Sequence, residues 1–333
     1  MDQNGSVQRV TNVPNSYIKQ RSIKNKIYRQ KMKEITIVTA FFDINRDNWK
    51  TFNRSTNRYI SYFKFWARIR NKVIIYTSKE LKDEILSIRK EYGLENQTVI
   101  HVIDDYRNIN ADMYQAICKS MSYVDTLNFR LLKHVPESYN ANYNYITGLK
   151  TWFMKDAVSR KETTSMVAWM DFGYNHGGEV VKHSKDFDFN WEYNFTDKIN
   201  LFLIRDIPKK PLFETIRKSS TSLMGAMIVA PDYLCETLWD INKKVIDALN
   251  ICGFADDDQT ILQGSVMLKP ELFDLHYTDW NKPIVICGGD HMQLVDKKEY
   301  NVVKRYIVKI YVSLQELRKN FTYAVLTFKN LNN

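Results

Sequence analysis

Two acidic stretches, a histidine-bearing loop and a polar loop after an apolar run hold the side chains best suited to chemistry. The first stretch is Met166-Val167-Ala168-Trp169-Met170-Asp171-Phe172-Gly173-Tyr174, an apolar run ending in a carboxylate and then a glycine. Ligands of α/β sheets sit beyond the carboxyl ends of the strands. Asp171 at such an end can grip a divalent cation bridging phosphate oxygens, and Gly173 lets the backbone turn sharply and approach a ligand. Alternatively, Asp171 is simply a good turn residue after a strand. The second stretch is Asp256-Asp257-Asp258. One Asp satisfies a helix N-cap and the helix dipole. Three in succession repel each other, so at least one is expected to face a cation, a hydroxyl or a positive substrate. In Gly288-Gly289-Asp290-His291, two glycines offer a flexible approach that gives His291 either a ligand role or an ordinary surface one. In Asp43-Ile44-Asn45-Arg46-Asp47-Asn48-Trp49, Arg46 is the best candidate for a phosphate contact, against an ordinary surface arginine. Lys150, within Gly148-Leu149-Lys150-Thr151, has the same two alternatives.

The elements that must position these residues alternate between strand and helix. Residues 35–42 are a near-continuous apolar run of the kind found in buried parallel strands. An aromatic helix through Tyr59, Tyr62, Phe63 and Phe65 follows, then a strand at 72–77, a charged helix at 79–92 and a strand at 98–103. This alternation predicts a right-handed, mostly parallel sheet. Helices are expected over 113–132 and 142–158, strands at 166–171, 200–204 and 223–230, and a helix from the aspartate triplet to about 267. Residues 271–276 and 283–287 read as short strands. A basic leader, residues 1–33, precedes the globular part at 34–295. The tail, 296–333, is expected to hold a basic amphipathic helix with Val302, Tyr306, Ile310, Leu314 and Leu317 on one side, packing on the domain or lying on a membrane surface.

The net charge of +10 calls for an anionic partner or surface, which nucleic acid, phospholipid headgroups or a nucleotide-linked substrate would each supply. Aromatics are abundant, with 20 Tyr and 17 Phe, and the many Tyr outside the apolar runs suit either a groove that stacks on sugars or bases or a simple composition bias. Cys118, Cys235, Cys252 and Cys287 form no Cys-x-x-Cys pair, so a zinc site or disulfide framework is not expected and a reduced cytosolic compartment fits. The N-terminus has no apolar h-region and no stretch reaches the roughly 20 apolar residues of a membrane span, so a soluble or at most peripheral protein is expected. Dinucleotide-binding, P-loop and Gly-x-Ser-x-Gly motifs are missing, which removes the main support for oxidoreductase, P-loop and α/β-hydrolase functions. No nucleic-acid-binding motif is present either.

The runs Ile37-Val38-Thr39-Ala40-Phe41-Phe42-Asp43-Ile44-Asn45-Arg46-Asp47-Asn48-Trp49, Val73-Ile74-Ile75-Tyr76-Thr77 and Trp169-Met170-Asp171-Phe172-Gly173-Tyr174 resemble the HtrL/YibB family over about residues 35–291. That family is associated with bacterial lipopolysaccharide and surface-polysaccharide gene clusters. The order of features is also similar to GT-A glycosyltransferases. This resemblance implies an α/β, GT-A-like (Rossmann-type) fold with a mostly parallel central sheet flanked by helices. It implies transfer of a sugar from a UDP-, GDP- or dTDP-linked donor to a glycan or lipid-linked acceptor, in the cytoplasm or at the inner membrane face. Thr39, Phe41, Arg46, Lys150, Asp171 and Gly173 would bind the donor. Asp171 and His291 would hold Mn²⁺ or Mg²⁺, and Asp258 or Asp257 would be the base. Asp171-Phe172-Gly173 lacks the second Asp of the usual Asp-x-Asp pattern. The other functions compatible with the residues are a binding protein for anionic partners and a different metal-dependent nucleotide transferase.

Overall fold

The computed structural model describes residues 32–295, 310, 311, 313–318, 320 and 321. Strand β1 (Lys33–Phe41) is apolar on both faces because both are covered: Ile35 and Ile37 enter one core cluster and Val38 the other. Helix α1 (Thr56–Trp66) starts at Ser55, whose hydroxyl accepts from the Arg58 N–H, and buries Tyr62, Phe63 and Trp66. Strand β2 (Val73–Thr77), helix α2 (Lys79–Lys90) and strand β3 (Thr98–Val102) complete the expected alternation, with β1, β2 and β3 all parallel.

The middle of the chain departs from the expected long helices. The 113–132 region divides into α3 (Ala111–Ser122) and a short helix, Val124–Phe129, because Tyr123 adopts extended backbone between them. The 142–158 region divides at Leu149 into α4 (Ala141–Gly148) and α5 (Lys150–Ser159). Strand β4 (Met166–Met170) then pairs parallel to β1, so Asp171 follows a strand end as expected. The short β5 (Glu192–Tyr193) pairs antiparallel with the start of β1.

Strands β6 (Ile199–Leu203), β7 (Met227–Pro231) and β8 (Phe273–Tyr277) extend the sheet in the order β3-β2-β1-β4-β7-β6-β8. Only β7 runs against its neighbours on this path, β4 and β6. Helices α6 (Leu212–Lys218), α7 (Cys235–Ile251) and α8 (Asp258–Leu268) fill the second half. The fold is therefore α/β, with a mostly parallel central sheet between two layers of helices and loops. One expectation fails outright: residues 283–287 are not a strand but a short helix, Pro283–Ile286. A short buried apolar run does not distinguish the two, and Pro283 at the first helical turn favours the helix.

The leader up to residue 31 lies outside the described residues, and β1 begins at Lys33. Val302 and Tyr306 lie outside them too. In the described part of the tail, Ile310, Leu314 and Leu317 are exposed, and the contact with the body is ionic, from Glu316 to Arg217 and Lys218. The expected apolar packing on the domain is not made by these residues. Among the described residues no helix is long and apolar enough to cross a membrane.

Candidate functional site

A cavity of about 410 Å³ opens at the carboxyl edge of β1 and β4. Ala40 to Asp43 bring β1 to its rim, Trp169 and Asp171 come from β4, and Gly225 and Ala226 lead into the reversed strand β7. Glu137, Tyr143, Thr147 and Lys150 enter from the α4–α5 side, and Asp257, Asp258 and Gln259 from the start of α8. Arg46, Arg54, Tyr59 and His176 line it as well.

At its floor the Lys150 ammonium is 2.8 Å from Asp171 Oδ1 and 2.8 Å from Asp258 Oδ2, and it donates to the Gly225 carbonyl at 2.9 Å. Three oxygens thus match the three ammonium donors. Burial disfavours the Lys150 charge, but the two carboxylates overturn this and hold the ammonium above the usual lysine range. Asp171 Oδ1 also accepts from the Trp169 indole N–H at 2.7 Å, while its side chain keeps 35% exposure toward the cavity.

Each member of the aspartate triplet has a different partner. Asp256 pairs with Arg130 at 3.2 Å. Asp257 is the N-cap of α8, accepting from the Gln259 N–H at 3.2 Å. Asp258 is the anchor of Lys150. Burial raises the Asp257 carboxyl well above the ordinary range, and the charges of Asp258, Asp256 and Glu137 raise it further. Burial likewise pushes Glu137 up to about 7, with Asp256 adding to the rise and Arg130 opposing it.

That shift has a stability consequence. Glu137 is protonated in both states below about 4.5, but between there and about 7 only the folded chain keeps the proton. Stability is therefore lost as pH rises through this window. Glu137→Gln is expected to flatten the dependence of Tm on pH between these limits, by an amount worth at most about 3 kcal/mol. Thermal unfolding of both proteins across the window checks this, and parallel curves would reject it.

Gly225 is the residue that sequence reasoning missed most completely. A Cβ there would lie 1.5 Å from Asp258 Oδ2, so only glycine leaves room for the carboxylate that meets Lys150. Gly225→Ala is expected to displace that carboxylate and cost about 1–3 kcal/mol, the usual penalty of overpacking. A thermal unfolding midpoint equal to wild type would contradict this. Arg54, Glu137, Tyr143 and His176 were also missed, since no motif marks them.

Arg46 and Arg54 add two further cations to the lining of the cavity, and Arg46 is held by its neighbours. Its Nε donates to the Phe52 carbonyl at 3.0 Å and its NH1 to the Tyr59 hydroxyl at 2.5 Å, and its guanidinium lies 5.0 Å from the Trp49 ring centre. Arg54 NH1 meets His176 Nε2 at 3.3 Å. Phe41 lines the cavity and stacks on Phe172 at 4.7 Å.

Of the site residues expected from the sequence, Phe41, Arg46, Lys150, Asp171, Gly173, Asp257 and Asp258 share this cavity. Thr39 does not line it; it is fully buried in β1, short of the strand end. The chain turns at Gly173 as expected, with the Tyr174 N–H donating to the Asp171 carbonyl at 2.8 Å, but its φ of −88° needs no glycine; what the missing Cβ spares is space beside Tyr59, 3.1 Å from where it would sit. The unusual backbone follows it, at Asn175 and His176, with φ of 61° and 43°.

His291 lies outside the cavity. Its Nε2 bonds to the Asp186 carbonyl at 2.8 Å and its ring packs edge-on against Phe189. The expected metal pair, Asp171 with His291, is therefore not assembled. Nor do the remaining acids fit a metal well. Mg²⁺ would need oxygens at about 2.0–2.1 Å, and Lys150 already sits between Asp171 and Asp258. A divalent ion about 4 Å from that ammonium would be repelled by roughly 8 kcal/mol at an effective dielectric of about 20. Among the described residues no three His, Cys, Asp or Glu side chains are grouped to hold a metal ion.

The family model described as "Bacterial protein of unknown function (HtrL_YibB)" matches residues 33–285. The chain belongs to the HtrL/YibB family. It is 31% identical over 260 residues to Protein HtrL of Escherichia coli (strain K12), covering 73% of this chain and 87% of that protein. Among solved structures, mouse xyloside xylosyltransferase 1 in its apo form aligns with a TM-score of 0.36 and 11% identity, over 72% of this chain and 84% of that one.

Proposed function

We propose that the cavity binds a nucleotide-diphosphate sugar and transfers its sugar to a hydroxyl of a glycan or lipid-linked acceptor, in GT-A fashion. The observation that carries this is the convergence of cations, acids and aromatic rings on one cavity at the carboxyl edge of the sheet. Arg46, Arg54 and Lys150 line the same cavity as Asp171, Asp257 and Asp258, and Phe41 and Tyr59 add aromatic rings to its lining. A diphosphate suits the arginines, a base or sugar ring suits the aromatic faces, and sugar hydroxyls suit the carboxylates.

Asp257 is the better placed of the two candidate bases. Asp258 is held by Lys150 at 2.8 Å, whereas Asp257 makes no salt bridge with Lys150 and burial raises its carboxyl well above the ordinary range. Asp257 takes the proton of the acceptor hydroxyl as its oxygen bonds to the anomeric carbon. The bond from that carbon to the diphosphate oxygen breaks, and its electron pair leaves with the nucleoside diphosphate. Attack from the opposite face inverts the anomeric carbon.

The test is a thermal-shift screen of UDP-, GDP- and dTDP-sugars, because a ligand of the folded state raises Tm, followed by an assay for nucleoside diphosphate release. A stabilising donor whose diphosphate is released in the presence of an acceptor is expected. Turnover of free nucleoside triphosphates instead would identify a nucleotidyl or phosphoryl transferase and overturn the assignment.

Peripheral contact with an anionic membrane belongs to the same proposal. It is supported by the exposed side chains of Ile310, Leu314, Leu317 and Phe321 and by the net charge of +10. Leu314→Asp with Leu317→Asp is expected to abolish co-sedimentation with phosphatidylserine vesicles, and unchanged binding would remove this part.

A further inference from the structure

Resting on the assignment of the cavity to a nucleoside diphosphate sugar, we infer that Lys150 is the resident cation of the site, so that donor binding requires no divalent metal. The ammonium is placed where a metal bridging Asp171 and Asp258 would have to sit, at 2.8 Å from an oxygen of each. The place is built for it. Gly225 contributes its carbonyl at 2.9 Å and, by lacking a Cβ, the space for Asp258. Helix α5 begins at Lys150 itself, which fixes the root of the side chain at the junction with α4. The Trp169 ring lies 5.8 Å from the ammonium, a further favourable contact for a cation.

The geometry also says how a fixed ammonium serves a diphosphate. Two of its contacts, to Asp258 and Gly225, lie in the buried floor, while the third points to Asp171, whose side chain is 35% exposed to the cavity. Lysine is a compact charge on a flexible stem with three rotatable donors. Its outward N–H can turn from Asp171 to a diphosphate oxygen, leaving Asp171 to accept a hydroxyl of the donor. With Arg46 and Arg54 lining the same cavity, three side-chain cations are available to a departing diphosphate.

The experiment is calorimetric titration of the wild-type chain with UDP, GDP and dTDP, in EDTA and in Mn²⁺. At least one nucleotide is expected to bind, with affinity in EDTA within about twofold of that in Mn²⁺. Binding that is about tenfold or more tighter with Mn²⁺ would overturn the inference while leaving the nucleotide site standing. Binding of none of the three under either condition would overturn both. A second measurement uses Mn²⁺ alone as a probe. Removing the ammonium frees two facing carboxylates, so Mn²⁺ is expected to raise the Tm of Lys150→Ala but not of wild type. An equal rise in both proteins contradicts the inference. The wild-type titration stands by itself if that variant does not fold.

Discussion

Asp257→Asn is expected to lower kcat by about 10²–10⁴-fold, the usual worth of general-base catalysis, while changing donor affinity little. Asn keeps the shape of the side chain and an oxygen able to accept from the Gln259 N–H, so the cap of α8 survives. What is lost is the proton acceptor. The pH profile separates this from a structural effect. Asp257 must be ionised to act, and burial together with Asp258, Asp256 and Glu137 raises it. The acid limb of kcat/KM should therefore lie above the ordinary carboxylate range, with activity rising as pH rises, and it should vanish in the variant. Asp258→Asn should behave differently. It loosens the anchor of Lys150, so donor KM should rise along with the fall in kcat. Equal turnover in wild type and Asp257→Asn would remove the base assignment.

The second large effect is on stability. Lys150→Ala leaves Asp258, itself 6% exposed, facing Asp171 with no counter-charge between them. Breaking a buried ion pair by removing one partner typically costs about 3–5 kcal/mol, because the remaining charge stays buried and unpaired. Adding Asp258→Asn to Lys150→Ala should recover much of that loss, since the stranded charge disappears. Denaturant unfolding of the single and double variants measures the difference. A double variant less stable than the single one would show that the cost lay in lost packing, not in charge.

The sequence was most informative where burial dictates composition. The apolar runs of β1, β2 and β4, alternating with helical stretches, read as interior strands of a parallel sheet, and that placed Asp171 correctly at a strand end. The aspartate triplet was legible because three carboxylates exceed what a helix start needs. The structure confirms the logic by giving each a separate partner: Arg130, the α8 cap and Lys150. The limits are equally physical. A strand covered on both faces has no polar alternation to say which residues reach the rim, so Thr39 reads as well as Phe41. Gly225 carries no local signal, because its importance comes from a carboxylate that arrives from α8. His291 looks like a ligand beside Gly288 and Gly289, yet those glycines serve packing. A Cβ on Gly288 would strike the Glu192 carbonyl at 2.7 Å, and one on Gly289 the Ile284 carbonyl at 2.7 Å. Lys150 read as a phosphate contact or an ordinary surface cation, because its neighbours in space lie 21 and 108 positions away in sequence, at Asp171 and Asp258.

The central claim is that a nucleoside diphosphate sugar lies across the carboxyl edge of β1 and β4, in the cavity lined by Arg46, Arg54, Lys150, Asp171, Asp257 and Asp258. The most direct measurement is a crystal structure of the chain with the donor that raises its Tm. The diphosphate is expected within about 3 Å of Lys150 and of Arg46 or Arg54, with the anomeric carbon facing Asp257. A nucleotide bound elsewhere on the chain, or one whose sugar points away from Asp257, would contradict it.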